Sequence, residues 1–166
     1  ANPDGKYLGP LSLQSALVNN RLAPLTQLLL QVGPANFVST AHSLGWNGFS
    51  LPPDELETFF GGEPVDPLEA AFAFSAFANL GLLNGQLAAQ SGEIEPVLAL
   101  RVEDNDGNLL FSNEVSTSQP AVSAQLAYLV HDTLSDEPAR WPSLGFPNPF
   151  EIGRPAGAFA ARSADG

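Results

Sequence analysis

The sequence predicts an α+β fold, mostly helical with a minor β component. Three observations carry that reading. Apolar residues recur at helical spacing through most of 11–83, punctuated by Pro24, Gly33, Pro34 and Gly45. A run of valine and leucine, Val97–Val102, is followed by Asp104-Asn105-Asp106-Gly107 and then Leu109-Leu110-Phe111, the pattern of strand, turn and strand. Helical spacing returns at Val122, Leu126, Leu129, Val130 and Leu134, ahead of a proline-rich stretch.

The elements follow in order. Residues 1–10 read as a loop with Asp4-Gly5 as its turn signal. Ser12 is placed to cap a helix carrying Leu13, Ala16 and Leu17. Pro24 breaks that helix or opens the next at its first turn, and Leu25, Leu28, Leu29 and Val32 continue until Gly33. Pro34 opens a third helix with Phe37, Val38, Ala41 and Leu44 on one side, and Gly45 ends it. A loop is expected from Trp46 to Val65. Asp66 caps the next helix, with Glu69 completing a capping-box pattern. That helix carries Leu68, Ala71, Phe72, Phe74, Ala76, Phe77 and Ala78 around its circumference, the mark of a helix buried on all sides and of a structural centre. Asn79-Leu80-Gly81 ends it. After the hairpin over 97–111, a helix is expected over 118–135. Residues 138–166 read as a proline-rich loop, with one short terminal strand near Ala156–Ala161.

Composition excludes several classes of function. Eighteen acids against six bases give a net charge of −12, which repels phosphate backbones and anionic lipid. Nucleic acid is therefore not an expected partner. No apolar run reaches the length of a membrane-spanning helix. There is no cysteine, so disulfides and thiolate metal sites are excluded, and two histidines do not make a histidine-rich one. No cofactor motif is present, and neither a cofactor nor a metal is expected. Residues 1–10 are polar and lack the apolar core of a leader peptide, so a leader removed upstream or a piece of a longer protein is expected.

Five stretches, in order, resemble the transpeptidase domain of class A penicillin-binding proteins. Asn2-Pro3-Asp4-Gly5-Lys6-Tyr7-Leu8-Gly9-Pro10 is similar to that family's N-x-D-G-x-Y-x-G-P. Leu13-Gln14-Ser15-Ala16-Leu17 through Ala23-Pro24-Leu25 resembles L-x-x-A-L-x-x-S-x-N-x-P-A. Val32-Gly33 and Leu44-Gly45-Trp46 match its V-G and L-G-I positions. Gly61-Gly62-Glu63-Pro64-Val65-Asp66-Pro67-Leu68-Glu69-Ala70-Ala71 resembles G-G-x-x-V-x-P-L-E-x-A, and Ala73 to Gly81 continues it with Phe74 where the family has tyrosine. Leu134-Ser135-Asp136-Glu137-Pro138-Ala139-Arg140 through Leu144-Gly145 looks like L-S-D-x-x-A-R-x-x-x-F-G, which one subgroup carries shortly before its terminal active-site strand. The resemblance implies part of a penicillin-binding/β-lactamase-like transpeptidase fold spanning 1–166.

The family's chemistry, as the resemblance implies it, is acyl transfer through a serine ester. The serine of S-x-x-K attacks, and the lysine one turn on eases its deprotonation. S-x-N relays protons and holds the substrate amide. K-T-G-S/T, on a strand, supplies positive charge and binds the substrate carboxylate. None of these motifs occurs in any register. The one lysine is Lys6, preceded three residues earlier by Pro3 and followed by Tyr7, and no serine has asparagine two positions later. At the S-x-N position stand Asn20, Arg21 and Leu22. Leu22 replaces the amide, and Asn20 has no hydroxyl. Arg154-Pro155-Ala156-Gly157-Ala158 resembles the approach to K-T-G, after which the motif positions hold Phe159, Ala160, Ala161 and Arg162. A one-residue slip of register brings in no lysine. The S-x-x-K segment is expected upstream of Ala1.

Other candidate sites have plainer readings. Asp104-Asn105-Asp106-Gly107 hints at a calcium loop, but the EF-hand register puts Val102 where the first carboxylate is required, so a hairpin turn is expected. Asp54, Glu55 and Glu57 sit in a proline-containing loop without a positioned partner. His42 reads as a surface histidine. His131 beside Asp132 has no nucleophile motif with it. Phe72, Phe74 and Phe77 read as core.

The expectation is a non-catalytic, pseudo-transpeptidase module. The resemblance places it outside the cytoplasm, in the periplasm or at the cell surface. It would be associated with peptidoglycan or act as a scaffold. Two alternatives stand beside it: a fragment of an active D,D-transpeptidase completed by another chain, and an accessory structural subunit of an extracytoplasmic assembly. An isolated segment of such a fold leaves a sheet edge and an apolar face uncovered, so another protein chain or the remainder of the same domain is the expected partner.

Overall fold

The computed structural model describes residue 2 and residues 5–51, 66–113 and 117–158. Its elements are α1 (Leu13–Val18), α2 (Leu22–Val32), α3 (Pro34–Ser43), α4 (Pro67–Ala78), β1 (Leu82–Leu87), β2 (Ile94–Glu95), β3 (Arg101–Glu103), β4 (Leu109–Ser112), β5 (Thr117–Pro120), α5 (Ala124–Ser135) and α6 (Glu137–Leu144). Mixed helix and strand makes this an α+β chain. It divides into two compact units. The first holds Ala1–Phe37, Leu51–Glu63 and Tyr128–Gly166, and the second Val38–Ser50 and Pro64–Ala127.

In the first unit, α1 packs against α2 and α6. Ser12 caps α1 by accepting the Ser15 N–H at 3.1 Å. The helix stops after six residues because Asn20 takes a left-handed φ of 48°. Pro24 lies in the first turn of α2, where its missing N–H costs nothing. Gly33, at φ 88°, ends that helix and Pro34 opens α3. Ala16, Val18, Leu29 and Leu134 are buried here, together with three polar residues, Asn2, Asn19 and Arg140.

The second unit is built on apolar packing. Asp66 accepts the Leu68 N–H at 2.8 Å and Pro67 opens α4. From that helix Phe72 and Ala76 meet Leu83 and Ile94, with Leu44 and Ala121 closing the sides. β1 is the centre of an antiparallel sheet ordered β2-β1-β5. Gly81 ties helix to sheet. Its N–H reaches the Ala76 carbonyl at 2.7 Å, and its own carbonyl accepts from Ala121 and Val122. A Cβ there would lie 2.2 Å from the Val122 oxygen, so no side chain fits. β3 and β4 form a separate two-stranded sheet with a bulge between Val102 and Glu103.

Several expectations change. The fourth helix ends at Ala78, with Asn79-Leu80-Gly81 stopping it as expected, but the last residues of the 11–83 helical part, Leu82 and Leu83, belong to β1, which pairs on both sides. The Val97–Val102 strand shortens to Arg101–Glu103, while Ile94–Glu95 joins β1 instead. The helix expected over 118–135 begins at Ala124. Gln119, ahead of Pro120, stays extended in β5, and the Ser123 hydroxyl accepts the Leu126 N–H at 3.2 Å to start the helix. Within the proline-rich 138–166, α6 forms despite Pro142, since Asp136 accepts the Ala139 N–H at 3.2 Å and Pro138 sits in the first turn. Ala156–Ala158 adopt no strand: the Ala158 N–H goes to the Leu134 carbonyl at 3.1 Å. Glu69 does not simply close a capping box, because its carboxylate accepts the Gly48 N–H at 3.3 Å. Nor is α4 buried all round: Leu68 and Phe74 are 40% and 42% exposed. Residues 52–65 of the expected loop, 114–116 and 159–166 lie outside the described residues.

Candidate functional site

The α1–α2 turn holds three of the sequence-predicted site positions. The Asn20 N–H bonds the Leu17 carbonyl at 3.1 Å and the Arg21 N–H bonds the Ala16 carbonyl at 2.8 Å, folding the chain back on α1. Arg21 is the N-cap residue of α2 and makes no side-chain cap bond; Leu22 is the first helical residue and is half-buried. The opening loop is bound to this turn. Asn2 accepts the Ala23 N–H through Oδ1 at 3.2 Å and donates Nδ2 to the Lys6 carbonyl at 2.7 Å.

The same turn is tied to α6. Asn19 donates Nδ2 to the Ser15 carbonyl at 3.0 Å and to the Ala139 carbonyl at 2.8 Å. Gln14 donates to Asp136 at 2.8 Å. Arg140, fully buried, donates Nη1 to the carbonyls of Leu134 and Ala156, joining the end of α5 to the chain that leads toward Phe159. Its Nε and Nη2, and Asn19 Oδ1, have no hydrogen-bond partner among the described residues.

Three separate parts of the chain thus converge: Asn2 with Lys6, Asn19–Leu22 and Leu134–Arg140. No family model matches the chain. Against curated proteins it is 33% identical over 137 residues to penicillin-binding protein 1A/1B of Bacillus subtilis (strain 168), covering 79% of this chain and 13% of that protein. Penicillin-binding protein 1B of Haemophilus influenzae is 24% identical over 118 residues, 71% of this chain and 14% of that protein. Penicillin-binding protein 1A of Pseudomonas aeruginosa is 28% identical over 110 residues, 66% and 12% respectively. This chain is a penicillin-binding-protein-like region. It spans 12–14% of the length of these relatives.

Within the penicillin-binding-protein-like region, the turn presents Asn20 in a left-handed conformation and a half-buried Leu22. Asn20 brings an amide and Leu22 an isobutyl group; neither is a nucleophile or a general base. Phe159, Ala160, Ala161 and Arg162 lie outside the described residues.

The remaining candidates are occupied by structural bonds. Asp104 accepts from the Asn108 side chain, the Asn108 N–H and the Asp106 N–H, all within 2.9 Å. Those donors, the Asn108 side chain foremost, hold its carboxyl below the usual value. The loop is a hairpin turn. His42 is exposed, as expected of a surface histidine, and its Nε2 bonds the Phe49 carbonyl at 2.8 Å. Ser135, one turn on from His131, has its Oγ 3.4 Å from His131 Nε2, and the hydroxyl donates to the His131 carbonyl at 2.6 Å. Asp132 adjoins His131 in the helix, and neighbouring residues do not face each other there. Asp54, Glu55 and Glu57 lie outside the described residues. Among the described residues no three metal-ligating side chains come together, and no helix is long and apolar enough to cross a membrane. A shallow cleft of about 200 Å³ in the second unit is lined by His42, Asn47, Glu93 and Gln119 over Leu83 and Ile94. Sequence reasoning missed Asn19 and Arg140. Both lie inside stretches of the resemblance, but only their burial distinguishes them.

Proposed function

We propose that this region is part of a transpeptidase-like domain that has lost acyl transfer, a pseudo-transpeptidase acting as an extracytoplasmic module associated with peptidoglycan or serving as a scaffold. The observation that carries the reading is Leu22. It stands at the position of the S-x-N amide, opening α2, with Asn20 in place of the serine. The substitution of Phe159–Arg162 for K-T-G points the same way. An acyl-enzyme site needs a hydroxyl, a lysine and oriented donors together, and removing such groups as a unit leaves little catalysis.

The test is labelling of the full-length protein, in its native preparation, with a fluorescent penicillin, followed by intact masses of every chain present. The expected result is folded protein with no adduct. An adduct on this chain overturns the proposal. An adduct on a tightly associated chain bearing S-x-x-K overturns it in favour of an active D,D-transpeptidase completed in trans.

A further inference from the structure

The β3–β4 hairpin pairs with no other described strand. Val102 stands opposite Phe111 and Arg101 opposite Ser112, and the Asn113 N–H extends the ladder to the Leu100 carbonyl at 2.7 Å. Side chains alternate between faces along a strand. Leu100, Val102 and Phe111 therefore share one face, and Arg101, Glu103 and Ser112, with Leu109 opposite Glu103 beyond the bulge, the other. The ion pair between Arg101 and Glu103 fits that division. Apart from Leu109, that second face is polar and suits water. The apolar one is also in water: Leu100 is 58%, Val102 43% and Phe111 47% exposed. A contiguous apolar strip on an unextended ribbon marks a surface built to be covered.

Charge decides what covers it. The second unit contains eight Asp and Glu residues against one basic residue, Arg101, which Glu103 already engages. Acids stand at both ends of the strip. Glu95 lies opposite Gln86, whose side chain accepts from Asn113 at the hairpin base, and Asp106 is exposed at the tip. A second copy of the chain brings the same acids, and like charges across an interface are penalised. We propose that the Leu100–Val102–Phe111 face docks a partner protein whose own apolar surface is flanked by lysine or arginine. The inference stands on the second unit alone and is independent of the loss of acyl transfer.

Hydroxyl-radical footprinting of the full-length protein tests it, with two peptide probes, one alternating leucine with lysine and one alternating leucine with glutamate. Leu100 and Phe111 are expected to be oxidised readily in the protein alone and shielded by the lysine probe. That probe should bind about tenfold more tightly than the glutamate probe at physiological salt. The strand-compatible variant Val102→Thr/Phe111→Thr should lose about tenfold of that affinity. Glu95→Gln/Asp106→Asn, which leaves the apolar strip intact, should narrow the difference between the probes. Equal binding of both probes, or binding unchanged in both variants, overturns the proposal. Shielding in the unprobed monomer means that the protein's own chain covers the strip, and shielding that appears only with dimerisation means a second copy does. Either result also overturns it.

Discussion

The two units hold themselves together by different means. In the second, the centre is apolar: Phe72, Ala76, Leu83 and Ile94 pack with no polar atom among their side chains. In the first, Asn2, Asn19 and Arg140 are buried beside Ala16, Val18 and Leu134, and each bonds a main-chain group. An apolar core is held by volume and tolerates a change of shape that keeps the volume. A polar clasp is held by direction, and a partner removed leaves buried donors or acceptors unpaired. The first unit also holds the turn at Asn20–Leu22 on which the proposed function rests.

The largest effect tests the apolar side. Phe72→Ala should cost about 4 kcal/mol, the usual range for emptying an aromatic core position. Phe72→Leu should cost about 1.5 kcal/mol or less, since it keeps most of the volume. Denaturant unfolding with an unchanged slope measures both. Near-equal losses would mean that the ring's shape, not its volume, holds the second unit.

Arg140 tests the polar side. Arg140→Ala frees the Ala156 carbonyl and one of two bonds at Leu134, where Ala158 also donates, and should cost about 3 kcal/mol. Arg140→Lys should be nearly as damaging, because a compact ammonium cannot span two carbonyls as the planar fork does. Arg140→Met removes the buried charge while filling space, and its loss should be smaller than that of either. If Lys behaves as wild type, direction is not what this clasp depends on.

The contrast also explains what could be read in advance. Ser12, Asp66, Gly33 and Pro34 act within a few residues of themselves, so their caps and stops were legible. The turn at Asp104–Gly107 was legible for the same reason. β1 was not. Its Gly85 is required because a Cβ there would lie 2.2 Å from the Glu95 carbonyl of the neighbouring strand, a contact the local sequence does not display. α6 was hidden by two prolines whose effect Asp136 offsets. The proposed site positions rest on resemblance alone. Arg140 as the clasp was not legible, since an arginine is ordinarily a surface residue and only long-range packing buries it.

The smallest expected effect is local and belongs to neither mode. Asp104 anchors the hairpin turn through bonds from the Asn108 side chain, then the Asn108 and Asp106 amides, and its carboxyl is held below the ordinary value of 3.8. The unfolded chain lacks these donors. A carboxyl depressed in the folded state stabilises in full above its unfolded value, and the contribution fades as pH falls through the lower folded value. The turn should therefore open in acid before either unit melts, seen as loss of Asn108 amide protection by NMR below about pH 3.8. Asp104→Asn, which keeps an acceptor but cannot titrate, should abolish that pH dependence while leaving the unfolding of both units unchanged. If Asn108 protection instead falls together with that of residues around Phe72 and Arg140, the hairpin is not an independent element, and the apolar core extends to it.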